Sequence, residues 1–114
     1  MDKPLPFPDF PRPQPRVELW QGPGKPTEAG IRERLAAEGY AAVRWDSAPI
    51  TGYGPHAHIY PETLWVVEGS VTVALPAESR LIELLPGDRI EIPQGLLHAL
   101  LAGAEGAVYL LATR

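Results

Sequence analysis

The hydrophobic pattern after Gly39 consists of short apolar segments separated by turn residues. The breaks fall at 48–49, 54–55, 61, 69, 76, 86–88, 93–95 and 103–106, and glycine or proline occurs in each of them. Many short strands with regularly spaced turns are typical of a sandwich or a closed barrel. We therefore predict an all-β domain with strands over residues 40–45, 50–53, 56–60, 63–68, 70–75, 80–84, 89–92, 97–101 and 107–112.

The N-terminal part of the chain has a different pattern. Prolines at positions 4, 6, 8, 11, 13 and 15 fix φ and remove amide donors, so residues 1–16 are expected to form an extended arm. This arm is either a frayed terminus or a segment that lies across the barrel or a neighbouring subunit. A short strand is predicted over 17–20 and one helix over 28–38, with Thr27 as its N-cap and Gly39 just beyond its end. Residues 17–114 are expected to form a single domain.

Composition narrows the possible partners and compartments. The chain has 114 residues, enough for one hydrophobic core, and no cysteine, which excludes disulfides and thiolate chemistry. A net charge of -4 and scattered basic residues give no reason to expect nucleic acid or an anionic membrane as a partner. The N-terminus does not resemble a signal peptide, and no apolar stretch approaches the roughly 18 residues that cross a bilayer. We expect a cytoplasmic protein.

Residue usage also suggests a thermophile-like composition. The chain has no asparagine, a single methionine and 14 prolines. Depletion of thermolabile residues together with proline in loops favours stability at high temperature, although a GC-rich genome gives much of the same pattern. A melting temperature in the ordinary mesophile range would exclude the thermophile hypothesis.

The three histidines all lie in or beside predicted strands. His56 and His58 are separated by one residue, so in a strand both imidazoles would point to the same face. Glu62 follows a bend at Pro61 and would place a carboxylate in an apolar, inward-facing row, where metal coordination is one way to satisfy it. His98 begins a further apolar segment. A surface His-x-His pair, an exposed turn glutamate and a structural histidine are the alternative interpretations.

Two segments resemble the conserved motifs of the cupin superfamily. Residues 56–69 match the first motif, HxH(x)3E(x)6G, and residues 87–98 match the second, G(x)5PxG(x)2H, at every fixed position. The first motif also expects a glycine six residues before its first histidine, and this chain has Ile50 there. The asparagine often found four residues after the last histidine is Ala102.

The resemblance implies a small jelly-roll β-barrel of six to eight strands. It also implies that His56, His58, Glu62 and His98 bind one divalent transition metal ion, with one or two coordination positions left for water or a small molecule. Imidazole and carboxylate ligands suit Zn, Fe, Mn, Ni or Cu, whereas Ca would require more oxygen ligands. By analogy with small cupins, a homodimer is expected.

Several side chains near these four are candidates for contact with a bound molecule: Tyr53, Tyr60, Arg44, Trp65 and Glu91. Tyr60 shares its parity with the two neighbouring histidines and is the best candidate for the pocket. Trp65 has the opposite parity to Glu62 and is expected outside the sheet or at a subunit contact. The remaining large aromatic residues, Trp20, Trp45 and Tyr40, are expected in the core or an interface.

Three functions fit the predicted site. The first is a metal-dependent enzyme of the dioxygenase or isomerase type, because open coordination positions could activate O₂ or polarise a carbonyl. The second is a non-catalytic module that senses or stores a small apolar or weakly polar ligand. The third is a purely structural metal, or a set of four residues that binds no physiological metal at all. The sequence therefore predicts a metal-binding small cupin without deciding whether it is an enzyme.

Overall fold

A computed structural model describes residues 13–114, and these residues form seven strands and one α-helix. In chain order they are β1 (Arg16–Glu18), α1 (Glu28–Ala37), β2 (Ala41–Ser47), β3 (Gly52–His56), β4 (Glu62–Leu75), β5 (Arg80–Leu84), β6 (Arg89–Ile92) and β7 (His98–Thr113), with a 3₁₀ turn at Pro76–Glu78. Most of the predicted arm, residues 1–12, lies outside the described residues. Within the described part, no helix is both long and apolar enough to cross a membrane.

Two long bent strands, β4 and β7, connect the halves of an antiparallel jelly roll. The two strands pair with each other in both halves. One half has the strand order β1-β6-β4-β7-β2, and in the other half β5 pairs with β4 and β3 pairs with β7. The register changes where Gly69 lies opposite Ala107, close to Gly106. Both glycines have positive φ, 73° and 80°, and a Cβ on Gly69 would lie 2.0 Å from the Gly106 carbonyl oxygen. Only glycine allows the two strands to cross so closely.

The central strand β4 is buried on both of its faces. Leu64 and Val66 point into the main core between the two halves, while Trp65 and Val67 belong to a second cluster on the outer face. All six residues from Glu62 to Val67 are buried, and the last four of them form a continuous apolar run rather than an alternating pattern. The predicted all-β jelly roll with one helix is confirmed.

Helix α1 covers the outer face of that strand. The Thr27 side chain accepts a hydrogen bond from the Gly30 amide at 3.1 Å, as predicted for its N-cap. Gly39 follows the helix with a φ of 85°. Ile31 and Leu35 are buried against Trp65, so the apolar stripe of the helix seals the outer side of the sheet.

Several predicted strand boundaries were wrong. Residues 63–68 and 70–75 form one strand rather than two, and so do 97–101 and 107–112, because the intervening glycines sit in bulges that continue pairing. The predicted strand over 56–60 is absent from the described structure: β3 ends at His56, and residues 57–61 form an irregular loop. The predicted strand over 50–53 begins later, at Gly52.

Candidate metal centre

Three segments bring the histidines together at one end of the barrel. His56 is the last residue of β3, His98 is the first of β7, and the two are paired in the strand register. His58 lies in the loop after β3, and its carbonyl accepts a hydrogen bond from the Gly95 amide at 2.8 Å. This bond connects the loop that carries His58 to the turn before His98, so the two motif segments position each other.

The ring arrangement places three imidazoles around one point. The ring centroid of His56 lies 4.4 Å from that of His98 and 4.8 Å from that of His58, and the remaining pair is 5.4 Å apart. One ring nitrogen from each residue can be chosen so that all three lie within 4.8 Å of one another. The His-x-His prediction therefore gives the correct convergence, although His58 reaches it from a loop rather than from a strand.

Backbone carbonyls orient two of the three rings. Nδ1 of His56 lies 2.9 Å from the Gly54 oxygen, and Nδ1 of His98 lies 2.8 Å from the Leu96 oxygen. Because a carbonyl oxygen only accepts, each Nδ1 carries a proton, and in the neutral ring this leaves Nε2 with the lone pair. Metal-binding histidines are commonly oriented by a second hydrogen bond of this kind.

His98 is the most deeply buried member of the group. Its side chain is 0% exposed, and its Nε2 has no hydrogen-bond partner among the described residues. Burial lowers the pKa of His98, and the neighbouring His56 and His58 act in the same direction, so the ring is held in its neutral form. A buried polar atom left without a partner is costly, which makes this nitrogen the strongest sign of a ligand at the site.

Glu62 lies beside the histidines at the start of β4. The carboxylate is 8% exposed, and its Oε1 lies 3.6 Å from Nε2 of His58. Burial raises the pKa of Glu62, and the nearby His58 and His56 partly oppose that shift. Its distance from the other two rings leaves it outside the tight three-histidine group, on the His58 side.

A cavity of about 560 Å³ opens in front of the histidines. Its walls are largely aromatic and aliphatic, and they include Trp45, Tyr53, Tyr60, Leu100 and Leu111. Tyr60 stacks on His58 with a centroid distance of 5.0 Å and an interplanar angle of 20°. Tyr53 lies edge-on to both His56 and Trp45. The structure thus brings Tyr53 and Tyr60 to the cavity with the histidines.

Arg44 is not brought to this cavity. It pairs in register with Leu110, whose side chain belongs to the outer cluster under α1, and its guanidinium forms an ion pair with Glu28 at 2.6 Å. Alternate residues of a strand face opposite sides, so Trp45 faces the cavity and Arg44 faces away.

The other two candidates, Trp65 and Glu91, also lie elsewhere. The Trp65 ring packs under α1 on the outer face of the sheet, as its parity predicts. Glu91 lies on β6 beside Arg16 and Arg89.

The sequence interpretation missed three residues that line the cavity. Trp45 was assigned to the core or an interface, and Leu100 and Leu111 were not considered individually. Strand parity contains the missing signal for Trp45: its register partner is Tyr109, which lies in the main core, so residue 45 faces the barrel interior. Trp45 nevertheless remains 36% exposed, because the barrel is open at this side.

Comparison with solved structures identifies the fold. No protein-family model matches the chain, and no curated protein is similar enough to match. The polyketide cyclase RemF from Streptomyces resistomycificus is similar with a TM-score of 0.60 and 28% identity, over 65% of this chain and 53% of the cyclase. An RmlC-like cupin from Shewanella frigidimarina matches with a TM-score of 0.57 and 22% identity, over 65% of this chain and 64% of its own. The chain has the fold of a small cupin.

A third solved structure matches a larger share of the chain. A DUF861 family protein from Thermotoga maritima has a TM-score of 0.58 and 19% identity, and the match covers 89% of this chain and 100% of that protein. By contrast, the matched region spans only about half of the cyclase and just under two thirds of the Shewanella protein.

The sequence differs from the first cupin motif at a position where the backbone is strained. Ile50 occupies the place of the expected glycine and has a φ of 55°, a left-handed conformation that a β-branched residue rarely adopts. Two residues later, Gly52 approaches β7 so closely that a Cβ would lie 1.8 Å from the Leu100 oxygen. The turn before β3 therefore needs both a left-handed residue and a missing side chain to deliver His56 to the site.

The residues present fit a metal ion of the cupin type. The group has three imidazoles, two of which have Nε2 free of protons, and a buried carboxylate on one side. Neutral imidazoles with a carboxylate are ligands for Zn, Fe, Mn, Ni and Cu. Above all, the Nε2 of His98 has no hydrogen-bond donor among the described residues, as expected of a nitrogen that binds a metal ion.

Proposed function

We propose that this cupin holds one divalent transition metal ion through His56, His58, His98 and Glu62 and presents it to a small molecule in the adjoining cavity. The observation that carries the proposal is the fully buried His98 ring, whose Nε2 has no partner among the described residues. A bound metal ion would satisfy that nitrogen and would also compensate the buried carboxylate of Glu62.

The chemistry that a metal supplies at such a centre is that of a Lewis acid, which polarises an oxygen atom of the molecule beside it. The chain's own residues supply the rest. The carbonyls of Gly54 and Leu96 hold two imidazole rings in the required tautomer. Leu100 and Leu111 make part of the cavity wall apolar, and Glu62 adds a carboxyl group on the His58 side.

Metal analysis of the purified protein tests the proposal. We expect up to one equivalent of transition metal per chain, and we expect His58→Ala and His98→Ala to lose most of it. Removing one ligand should weaken binding by at least about tenfold, as removal of supporting groups alone costs 10–100-fold. Chelator competition on the refolded or reloaded proteins measures this difference.

Two glutamates of the chain provide a matched control. Glu62→Gln should weaken metal binding, whereas Glu91→Gln, on the neighbouring strand β6 but away from the histidines, should leave it unchanged. Equal metal content in the wild type and the histidine variants would overturn the assignment of the site.

Catalysis on the bound molecule is the second candidate function. The similarity to RemF, a polyketide cyclase, favours catalysis over a storage role. Cyclisation of a polyketide by the wild type that is lost in His98→Ala would support catalysis. Binding of the polyketide without its conversion would favour a sensing or storage module. The homodimer expected from the sequence stays a prediction, and sedimentation at twice the 12.4 kDa chain mass would confirm it.

A further inference from the structure

The cavity beside the histidines indicates which class of molecule binds there. Building on the metal site proposed above, we infer that the ligand is a planar aromatic compound without a formal charge, such as a phenol with fused rings. Trp45, Tyr53 and Tyr60 bind its ring faces and edges, and an oxygen substituent points toward the histidines.

The charges around the cavity argue against an anionic ligand. No lysine or arginine of the described residues lines it, and its one ionisable acid is Glu62. Recognition of a carboxylate or a phosphate normally uses arginine, lysine or a row of amide donors. The nearest arginine along β2, Arg44, faces the opposite side of the sheet and is paired with Glu28. Apart from the metal ion proposed above, no cation of the described wall would offset the negative charge of an anionic ligand beside Glu62.

The aromatic residues form a continuous surface that leads to the histidines. Trp45 contacts Tyr53 edge-on at a centroid distance of 5.4 Å, and Tyr53 lies 6.5 Å from His56 in the same type of arrangement. On the other side, Tyr60 stacks on His58. A flat ligand can meet ring faces and edges along this path, which are the geometries that aromatic pairs prefer.

The three aromatic side chains of the cavity wall are partly exposed to solvent. Trp45 is 36% exposed, and Tyr53 and Tyr60 are each 44% exposed, although all three line a concave cavity. Covering these rings with an apolar molecule removes their surface from water and supplies the driving force for binding. The volume of about 560 Å³ lies within the range of pockets that enclose drug-sized ligands. Both features favour a ligand of two or more rings.

Calorimetric titration of the full chain with 2-naphthol tests the inference, with decahydro-2-naphthol as a saturated compound of similar size. We expect 2-naphthol to bind at least about fivefold more tightly, because aromatic pairs add about 0.5–1.5 kcal/mol beyond burial of area. Trp45→Ala and Tyr60→Ala should weaken 2-naphthol binding about tenfold, and Trp45→Phe should restore most of the affinity. Equal affinity for the two compounds would overturn the inference.

A neighbouring residue on the same strand provides the control. Arg44→Ala should leave 2-naphthol binding unchanged within about twofold, because its side chain lies on the other face of β2. An equal loss in Arg44→Ala and Trp45→Ala would show an indirect effect and contradict the aromatic wall.

The metal content of each sample separates this inference from the metal proposal. Trp45→Ala should retain the wild-type metal content while losing affinity for 2-naphthol, which supports the inference. If the wild type binds no metal but still prefers 2-naphthol over its saturated analogue, the metal site fails and the aromatic pocket stands. If metal binds normally and neither compound binds, the pocket inference alone is wrong.

Discussion

Two clusters of buried polar side chains lie on opposite faces of β4. On the outer face, the Arg89 side chain is 4% exposed and donates two hydrogen bonds to the Glu38 carboxylate, at 2.9 and 3.1 Å. On the inner face, His98 is fully buried, and its Nε2 has no partner among residues 13–114. Strand β4 thus separates a guanidinium that is paired with a carboxylate from an imidazole nitrogen that has no partner in the described chain.

The outer cluster is paired within the chain, whereas the inner cluster is the proposed metal site. The Nε of Arg89 also lacks a partner in the described chain, but its guanidinium charge is balanced by Glu38 and lies 4.5 Å from the Trp65 ring centroid. A buried charge with its partner in place helps to define the packing. The inner cluster brings one ring nitrogen from each of three imidazoles within 4.8 Å of one another, an arrangement that the metal ion proposed above would explain.

The largest expected effect comes from comparing two tryptophans, one on the outer face of the sheet and one at the cavity. Trp65 is 2% exposed and donates from Nε1 to the Gly87 oxygen at 2.7 Å, so Trp65→Ala should lower the free energy of unfolding by about 3–5 kcal/mol. Trp45→Ala should cost about 1 kcal/mol or less, since the ring is already partly in water. Urea denaturation of both variants measures the difference.

The metal content of the two variants completes that comparison. The fraction of Trp65→Ala that remains folded should bind as much metal as the wild type, because its ring lies on the far side of the sheet. A folded Trp65→Ala protein that has lost its metal would show that the two faces are coupled.

The second test uses the acid side of the stability profile. Arg89 lowers the pKa of Glu38 below its usual value of 4.5 through their hydrogen bonds. The folded state then binds fewer protons than the unfolded state, so the stability from this pair is present above pH 4.5 and is lost as the pH falls through the lowered pKa. Glu38→Gln should cost about 1–2 kcal/mol at neutral pH, a value reduced because Glu38 is partly exposed.

Thermal melts at neutral pH and at pH values below 4.5 check this expectation. The difference between the wild type and Glu38→Gln should shrink on acidification. Glu33→Gln, an exposed change on the same helix, is the control and should show little difference at either pH. A constant difference between Glu38→Gln and wild type across this range would contradict the role of the ion pair.

The smallest expected effect lies on the open side of the barrel. Ile50 adopts a φ of 55° and is 66% exposed, so Ile50→Gly should relieve backbone strain at little cost in packing. We expect a gain of about 0.5–1 kcal/mol, since a left-handed conformation costs an L-residue about 1–2 kcal/mol and glycine loses part of that gain in entropy. Ile50→Ala keeps the Cβ and should gain much less. A melting temperature that is unchanged in Ile50→Gly would show that the turn is not strained.

The parts of the site that were predictable follow from local spacing. The two motif segments place His56, His58 and His98 in one group, and the helix signals at Thr27 and Gly39 give its ends to within a residue. The helix ends depend on residues close together in the chain and need no knowledge of how the sheets pack. The grouping of His98 with His56 and His58 follows instead from the resemblance to the two cupin motifs.

The parts that were missed depend on pairing over long distances. Gly69 and Gly106 look like breaks between strands, yet their left-handed conformations form bulges through which β4 and β7 continue. The orientation of Trp45 and Arg44 depends on their register with β7, some 65 residues later. A single-sequence pattern gives the alternation of a strand but not which of its faces is inside.

Strands β2 and β3 are held by fewer neighbouring strands than β4, so the backbone at the cavity should open more often. Within the described residues, each of these strands pairs with β7 alone, whereas β4 is bonded to β5, β6 and β7. Backbone amides of β3 should therefore exchange with deuterium through local opening, long before those of β4, which require global unfolding. Because Tyr53 and His56 both belong to β3, each such opening would widen the passage by which a molecule reaches the histidines.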